Sequence, residues 1–210
     1  MPQINRMLTA KYAGIQGMYY GSMAPVAAFA SAFLLSRGFS NSQIGVVTAL
    51  GSIGAAILQM TFGSFVGDGR KLSVRATTSI FLVALLGLSI ALCAGLSGMG
   101  LTMAVYVAVL VLALALQPLV SSMNFSFQNR GVAINFGLAR AAGSVTYAIL
   151  SAVIGGVVAR FSGTAVPWFN VLTFGGMLLF VASFRPPCLA FRRHYLLACL
   201  PRRISGLNVF

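Results

Sequence analysis

The sequence predicts an all-α, polytopic membrane protein with six transmembrane helices. The chain has 210 residues, of which 59% are hydrophobic and only 7% are charged, and the charges are widely spaced. About a quarter of the residues in a soluble globular domain are charged, so the composition excludes that class. Apolar residues run continuously instead of alternating, which excludes a transmembrane β-barrel.

The intervals between charged residues set the number of spans, because a helix needs about 20 mostly apolar residues to cross the hydrocarbon. The intervals without charge are 12–36, 38–67, 76–129, 141–159 and 161–184. The third is too long for one helix, and Ser97-Gly98-Met99-Gly100 divides it. We therefore place six spans, at 12–35, 43–65, 76–96, 101–122, 137–159 and 165–184.

Local signals support the starts of two of these helices. Ser40-Asn41-Ser42-Gln43 has the form of a capping box at the start of the second. Pro167 suits the first turn of the sixth. A cleaved signal peptide is the alternative for the first segment, since Ala30-Ser31-Ala32 resembles a cleavage site. Polar residues and glycines interrupt its apolar stretch, so we expect this segment to be retained.

Basic residues predict the orientation, because short cytoplasmic loops carry an excess of Lys and Arg. One side collects Arg6, Lys11, Arg70, Lys71, Arg75, Arg130 and Arg140, and the other only Arg37 and Arg160. We expect a cell-membrane protein with both termini in the cytoplasm. The formal net charge of +13 is too scattered among apolar tracts for a nucleic-acid site. The expected partner is therefore the lipid bilayer.

Neither a metal nor a cofactor is expected. Cys93 lies within the third span, while Cys188, His194 and Cys199 in the tail are too few for a zinc site. The only acidic residue is Asp68, and the spans contain no nucleophile beside a base. We therefore do not expect an enzyme.

Polar residues inside the spans are the most informative signal, because each is costly in hydrocarbon. Helical spacing places several sets on shared faces. These sets are Arg140, Ser144, Tyr147 and Ser151 on the fifth helix; Tyr12, Gln16, Tyr19 or Tyr20 and Met23 on the first; Tyr106, Gln117, Ser121 and Asn124 on the fourth; and Thr48, Ser52 and Gln59 on the second.

Two interpretations of these faces remain open. In one, the first, fourth and fifth helices line a cavity for a hydroxyl-rich solute such as a sugar or a nucleoside. In the other, the same groups form hydrogen bonds between helices, and the tyrosines belong to interfacial belts. Small residues at Ala139-x-x-x-Gly143 and Gly51-x-x-x-Ala55 predict close helix packing under either interpretation.

Two stretches resemble the lactose permease-like branch of the major facilitator superfamily, which contains sugar and nucleoside proton symporters. One is Phe136-Gly137-Leu138-Ala139-Arg140-Ala141-Ala142-Gly143-Ser144-Val145-Thr146-Tyr147-Ala148, similar to that branch's fifth helix. The other is Gly38-Phe39-Ser40-Asn41-Ser42-Gln43-Ile44-Gly45, followed by Leu58-Gln59 and Phe62-Gly63. The resemblance implies half of a twelve-helix fold over residues 1–185, built as two inverted three-helix repeats in which Pro25 and Pro118 interrupt corresponding helices.

The resemblance also implies roles for individual residues. Arg140 is expected to donate hydrogen bonds to substrate hydroxyls, and Tyr147 to stack on a sugar ring. With the polar positions above, the predicted substrate-binding set is Arg140, Tyr147, Ser144, Gln16, Tyr19, Tyr20 and Gln117. Gly63, Asp68, Arg70 and Lys71 match the loop that latches the inward and outward states, although Asp68 lies one place late.

Lactose permease itself carries an acid upstream of the matching Arg, where this chain has Ser122. No predicted span contains Asp or Glu, so proton coupling would require a second half. Family members are longer, and residues 186–210 form a basic tail that we expect to be cytoplasmic and read out of frame. The alternative is a native amphipathic tail on the inner leaflet.

The function expected from the sequence is a truncated or half-size secondary transporter for a small polar solute. One alternative is a six-helix chain that dimerises into an active carrier. The expected protein partner is therefore either a second six-helix half or another copy of this chain. The other alternative is a membrane bundle that does not transport.

Overall fold

The chain is helical throughout most of the residues that can be described. A computed structural model describes residues 6–65, 73–128 and 134–183. Its α-helices are α1 (Arg6–Met23), α2 (Ala30–Ser36), α3 (Asn41–Phe65), α4 (Val74–Ala94), α5 (Met99–Gln128), α6 (Phe136–Phe161) and α7 (Val166–Ser183). A π-helical segment, Ala24–Ala28, joins α1 to α2, and a 3-10 turn, Gly163–Ala165, precedes α7. The all-α prediction is confirmed for these ranges.

The long helices have the dimensions of membrane spans. Five of them, α3 to α6 and Gly163–Ser183, are long and apolar enough to cross a membrane. The segments Arg6–Ala28 and Ala30–Ser36, bent by 44° at their junction, bring the number to six if they form one span. The expected multi-pass character is therefore confirmed. The predicted spans coincide with these helices, although α1 begins at Arg6 and α5 continues to Gln128.

Predicted local signals produce the expected helix boundaries. The Ser40 backbone N–H donates to Gln43 Oε1 at 2.9 Å, and the Gln43 backbone N–H donates to Ser40 Oγ at 3.3 Å, which confirms the capping box. Gly95 and Gly98 have φ of +77° and +105°, in the region that favours glycine, so the chain turns between α4 and α5 as predicted.

Pairwise contacts arrange the helices in two layers. In the first layer α3 contacts α5, α5 contacts α1, and α1 contacts α6, so that these four helices form a row. In the second layer α4 packs against α5 and α7 packs against α1, while α4 and α7 also contact each other. Large side chains between the layers, among them Tyr12, Tyr106, Phe33 and Phe174, are fully buried.

Two buried tyrosines join α5 to α1 and to the π-helical segment that follows α1 by reciprocal hydrogen bonds. The Tyr12 hydroxyl donates to the Val120 carbonyl at 3.1 Å, and the Tyr106 hydroxyl donates to the Val26 carbonyl at 3.0 Å. Hydrocarbon provides no substitute partner for a buried carbonyl, so both bonds stabilise this helix pair. The sequence placed both tyrosines on inward faces without identifying these partners.

Pro118 does not interrupt its helix, which corrects the expectation from the sequence. The α5 helix continues through it. Proline lacks the N–H that would bond the carbonyl four residues earlier, here Leu114. Gln59 Nε2 of α3 donates to the Leu114 carbonyl at 3.0 Å and replaces that bond. Pro25 was expected to interrupt its helix as well, and this expectation holds. It lies in the π-helical segment next to the bend between α1 and α2.

Two basic side chains cap the carboxyl end of α7. Lys11 Nζ donates to the Ser183 carbonyl at 3.2 Å, and Arg75 donates to the Val181 carbonyl at 3.2 Å and to the Ala182 carbonyl at 2.6 Å. Cations are favourable there because helix carbonyls converge with a negative dipole. These contacts bring the start of α1 and the end of α7 to the same face of the bundle, as six crossings require. The proposed tail, 186–210, lies outside the described residues.

We predict that the Gln59 bond stabilises the protein only because Pro118 is present. Gln59→Leu should lower the free energy of unfolding by about 1 kcal/mol, since it leaves the Leu114 carbonyl unpaired. In a Pro118→Ala background the restored N–H can pair that carbonyl, so the same change should cost much less. A double-mutant cycle of unfolding in mixed micelles measures the difference. Equal costs in both backgrounds would refute this role for Gln59.

Candidate functional site

The predicted substrate-binding residues divide into exposed and buried groups. Arg140, Ser144 and Tyr147 of α6 and Gln117 of α5 are exposed on the bundle, and Tyr20 of α1 is half-buried. Gln16 and Tyr19 of α1 are each only 2% exposed. The structure thus brings part of the predicted set to the surface of the helix row and places the rest in the core.

Gln16 and Tyr19 make interhelical and core contacts. Gln16 Nε2 donates to the Tyr12 hydroxyl at 2.8 Å, and that hydroxyl donates onward to α5. Tyr19 meets Tyr20 edge to face, with ring centroids 5.1 Å apart. For Gln16 these contacts match the alternative interpretation of the sequence, in which polar groups bond between helices. Tyr19 therefore packs against Tyr20 within the core.

Arg140 lies over the ring of Tyr20. The α6 helix begins at Phe136, and the side chain of Asn135 caps it by accepting a hydrogen bond from the Leu138 backbone N–H at 3.0 Å. Arg140 follows one turn later, and its guanidinium carbon lies 4.1 Å from the centroid of the Tyr20 ring. This distance is that of a cation–π interaction. The sequence predicted both residues but not their contact.

Glycine at 143 permits this contact. A Cβ on Gly143 would lie 2.6 Å from Tyr20 Cδ2 and 3.3 Å from the Gln16 carbonyl oxygen, so the α1 backbone passes close to α6. Ala139 and Gly143 are both buried, as the Ala139-x-x-x-Gly143 spacing predicted. The approach of the two helices therefore determines the position of Tyr20 relative to Arg140.

The α6 helix has three distinct faces at 100° per residue. One contains Ala139, Gly143 and Ile154, all buried. The adjoining face, which we call the polar face, contains Arg140, Ser144, Tyr147 and Ser151. The third face is apolar and includes Val145 and Ile149, which are 58% and 59% exposed. The apolar face suits lipid, whereas the polar face requires water or protein.

Polar exposure continues along the row of helices. Gln117 and Pro118 are exposed on α5, the helix on the other side of α1 from α6. Tyr147 is 38% exposed, and the buried Ser151 Oγ has no hydrogen-bond partner among the described residues. The exposed residues of α5 and α6 therefore offer hydroxyl, amide, aromatic and guanidinium groups.

The sequence analysis missed a buried amide in the sixth span. Asn170 of α7 is fully buried, and neither of its amide atoms has a hydrogen-bond partner within the described ranges. An amide within an apolar span was the available signal, since such groups are costly in hydrocarbon. The helical faces that we considered did not include the sixth span, so the residue was missed.

The remaining predicted residues cannot be placed. Gly63 lies within α3, whereas Asp68, Arg70 and Lys71 lie in 66–72, outside the described residues. The tail residues Cys188, His194 and Cys199 lie outside them as well. The latch stays a prediction from the sequence.

We predict that Gly143 is required for the contact between α1 and α6, and Gly156 serves as a control in the same helix. Gly143→Ala should lower the free energy of unfolding by about 1–3 kcal/mol, because the Gln16 carbonyl cannot move away as a side chain can. Nothing lies within 4 Å of a Cβ on Gly156, so Gly156→Ala should be neutral or stabilising by up to about 1 kcal/mol. Thermal unfolding in detergent compares the two. Equal effects would exclude the tight approach.

Comparisons of the chain with protein-family models, with curated proteins and with solved structures give no match in any of the three. The resemblance to the major facilitator superfamily therefore depends on the motifs quoted above. Any function assigned to the polar face has to be argued from its own geometry.

Proposed function

We propose that this chain is a six-helix half of a secondary transporter, and that the row α3, α5, α1 and α6 forms one wall of a cavity for a sugar or a nucleoside. The observation that carries the proposal is the polar face of α6, exposed beside Tyr20 and separate from the apolar face of the same helix. Such a face is costly against acyl chains. A water-filled cavity removes that cost.

The chemistry of the polar face suits this class of solute. A guanidinium offers several hydrogen-bond donors in a fixed plane, which hydroxyl oxygens can accept. An aromatic ring offers an apolar surface for the carbon face of a sugar or for a base. Arg140 and Tyr147 are two helical turns apart, about 10 Å along the axis, a separation comparable to the length of a small solute.

Recurring contacts support an inverted-repeat architecture. In such an architecture α1, α3 and α4 correspond to α5, α6 and α7, respectively. The contact of α1 with α6 then corresponds to the contact of α5 with α3, and the contact of α1 with α7 corresponds to that of α5 with α4. All four contacts are present. The reciprocal tyrosine bonds fit the same correspondence. The number of residues from Tyr12 to Tyr106, the two donors, equals the number from Val26 to Val120, the two acceptors. Transporters built from inverted repeats place the solute site at the repeat interface.

A pair of glycine contacts obeys the same correspondence. A Cβ on Gly54 would meet Val111 at 2.7 Å, and a Cβ on Gly17 would meet Thr146 at 3.0 Å. Gly17 and Val111 are separated by the same interval as Tyr12 and Tyr106. The two contacts thus occupy equivalent positions in the α5·α3 and α1·α6 pairs, as two copies of one ancestral unit would.

Orientation and energy coupling follow from the distribution of charge. We assign the face that carries the start of α1 and the end of α7 to the cytoplasm, because short cytoplasmic loops are rich in Lys and Arg. Apart from Arg140 of the polar face, the described basic residues of that face are Arg6, Lys11 and Arg75, against Arg37 and Arg160 on the other. No carboxylate occurs in the described spans, so a proton-binding group would belong to the partner half.

Two arrangements can cover the polar face. A separate six-helix half would complete the carrier, or a second copy of this chain would do so. The exposure of Arg140, Ser144 and Tyr147 requires one of these or water. Saturable uptake into vesicles containing only the purified chain would establish the second arrangement. Binding without uptake would establish the first.

We predict that Arg140 and Tyr147 hold the solute. Full-length protein in lipid nanodiscs is titrated with a panel of sugars and nucleosides, and bound ligand is measured at equilibrium. Arg140→Ala and Tyr147→Ala should each weaken binding at least about tenfold, since each removes a direct contact. Val145→Ala, on the lipid face of the same helix, should leave the affinity unchanged. Unchanged affinity in both site variants would eliminate this site.

A further inference from the structure

Arg140 has no protein carboxylate beside it in the described chain. Asp68 is the only acidic residue of all 210, and it lies outside the described residues. The recorded contact of the Arg140 guanidinium is the Tyr20 ring at 4.1 Å. An aromatic face attracts a cation through its quadrupole, but it carries no net charge. The positive charge of Arg140 is therefore uncompensated by the described residues.

The guanidinium is also directed toward Gly143 and not toward the start of α6 at Phe136. Helices α1 and α6 run parallel, because Gly17 meets Thr146 and Gly21 meets Leu150. The Tyr20 ring lies level with Gly143, because a Cβ on Gly143 would be 2.6 Å from Tyr20 Cδ2. Contact with this ring thus holds the guanidinium beside Gly143, about one turn further into α6 than Arg140 itself. A snorkelling arginine would extend toward Phe136 instead.

The other basic residues at helix contacts show what Arg140 lacks. Lys11, Arg75 and Arg37 each donate to carbonyl oxygens at the carboxyl end of a helix. Arg140 has no such carbonyl partner among the described residues, and its described contact is the Tyr20 ring. Its positive charge therefore favours a negative group at this position.

We infer that Arg140 binds the carboxylate or phosphate group of an anionic ligand, such as a sugar acid or a sugar phosphate. This inference rests on the proposed function and narrows the solute class. The guanidinium can donate two parallel hydrogen bonds to two oxygens of one anion. Ser144 lies one turn further on the same face, where its hydroxyl can donate to the same group. Tyr147 is then left to contact the rest of the molecule.

The experiment compares ligands that differ in charge and share a scaffold. The full chain, in nanodiscs of zwitterionic phosphatidylcholine, is titrated with glucose, glucuronate and glucose 6-phosphate. Both anions should bind at least about tenfold tighter than glucose, because charge-assisted hydrogen bonds are the stronger ones. Added salt should reduce the difference.

Variants assign the preference to one residue. Arg140→Gln should abolish the preference for anions, and Arg140→Lys should retain part of it because the charge remains. Arg160→Gln makes the same change of net charge at the far end of α6 and should leave the preference intact. Thermal unfolding of each variant verifies that it is folded.

Further measurements separate the sources of the anion and the ways in which the inference can fail. Phosphatidylglycerol in the nanodisc should compete with glucose 6-phosphate if a lipid headgroup is the natural source, and should not if a solute is. Equal, Arg140-dependent binding of glucose and its anions would overturn the inference and leave the proposed function standing. Binding that does not depend on Arg140 for any ligand would overturn both. An anion affinity raised at least about tenfold by Asp68→Asn would identify Asp68 as the counter-ion and also overturn the inference.

Discussion

The close contact between α1 and α6 determines which polar groups of this protein face outward. Gly143 lets the α1 backbone approach, and this approach places the Tyr20 ring under the Arg140 guanidinium. Because the buried face of α6 packs against α1, the helix exposes one apolar and one polar surface. A bilayer accepts the first and penalises the second. The need to cover the polar face is the physical reason to propose a cavity.

The same penalty explains how the backbone is satisfied elsewhere. Donors on neighbouring helices bond backbone carbonyls: Tyr12 bonds Val120, Tyr106 bonds Val26, and Gln59 bonds the carbonyl that Pro118 leaves free. Lys11 and Arg75 do so at the end of α7. Most polar side chains of the bundle thus have structural partners. The exposed groups on α6 stand out because few of them have such a partner among the described residues.

The sequence predicts the elements of this fold well and their contacts poorly. Charge spacing located the spans, and the Ser40–Gln43 capping box and the glycines between α4 and α5 fixed boundaries, because these signals are local. Helical periodicity assigned Gln16 and Tyr20 to polar faces but could not tell that one is buried and the other lies under Arg140. That distinction depends on which helix lies opposite, and the spacing of residues along one helix carries no information about its neighbours. Pro118 shows the same limit, since α5 continues through it and the carbonyl that it leaves free is bonded by Gln59 of another span.

The central claim is that water, and not lipid, reaches the polar face of α6. In a chain whose native cysteines are replaced by serine, Ser144→Cys and the adjacent Val145→Cys differ only in the face that they occupy. A charged, membrane-impermeant maleimide should label the first at least about tenfold faster in intact vesicles, because thiolate reaction requires an aqueous path. Equal rates, or faster labelling at Val145→Cys, would contradict the account.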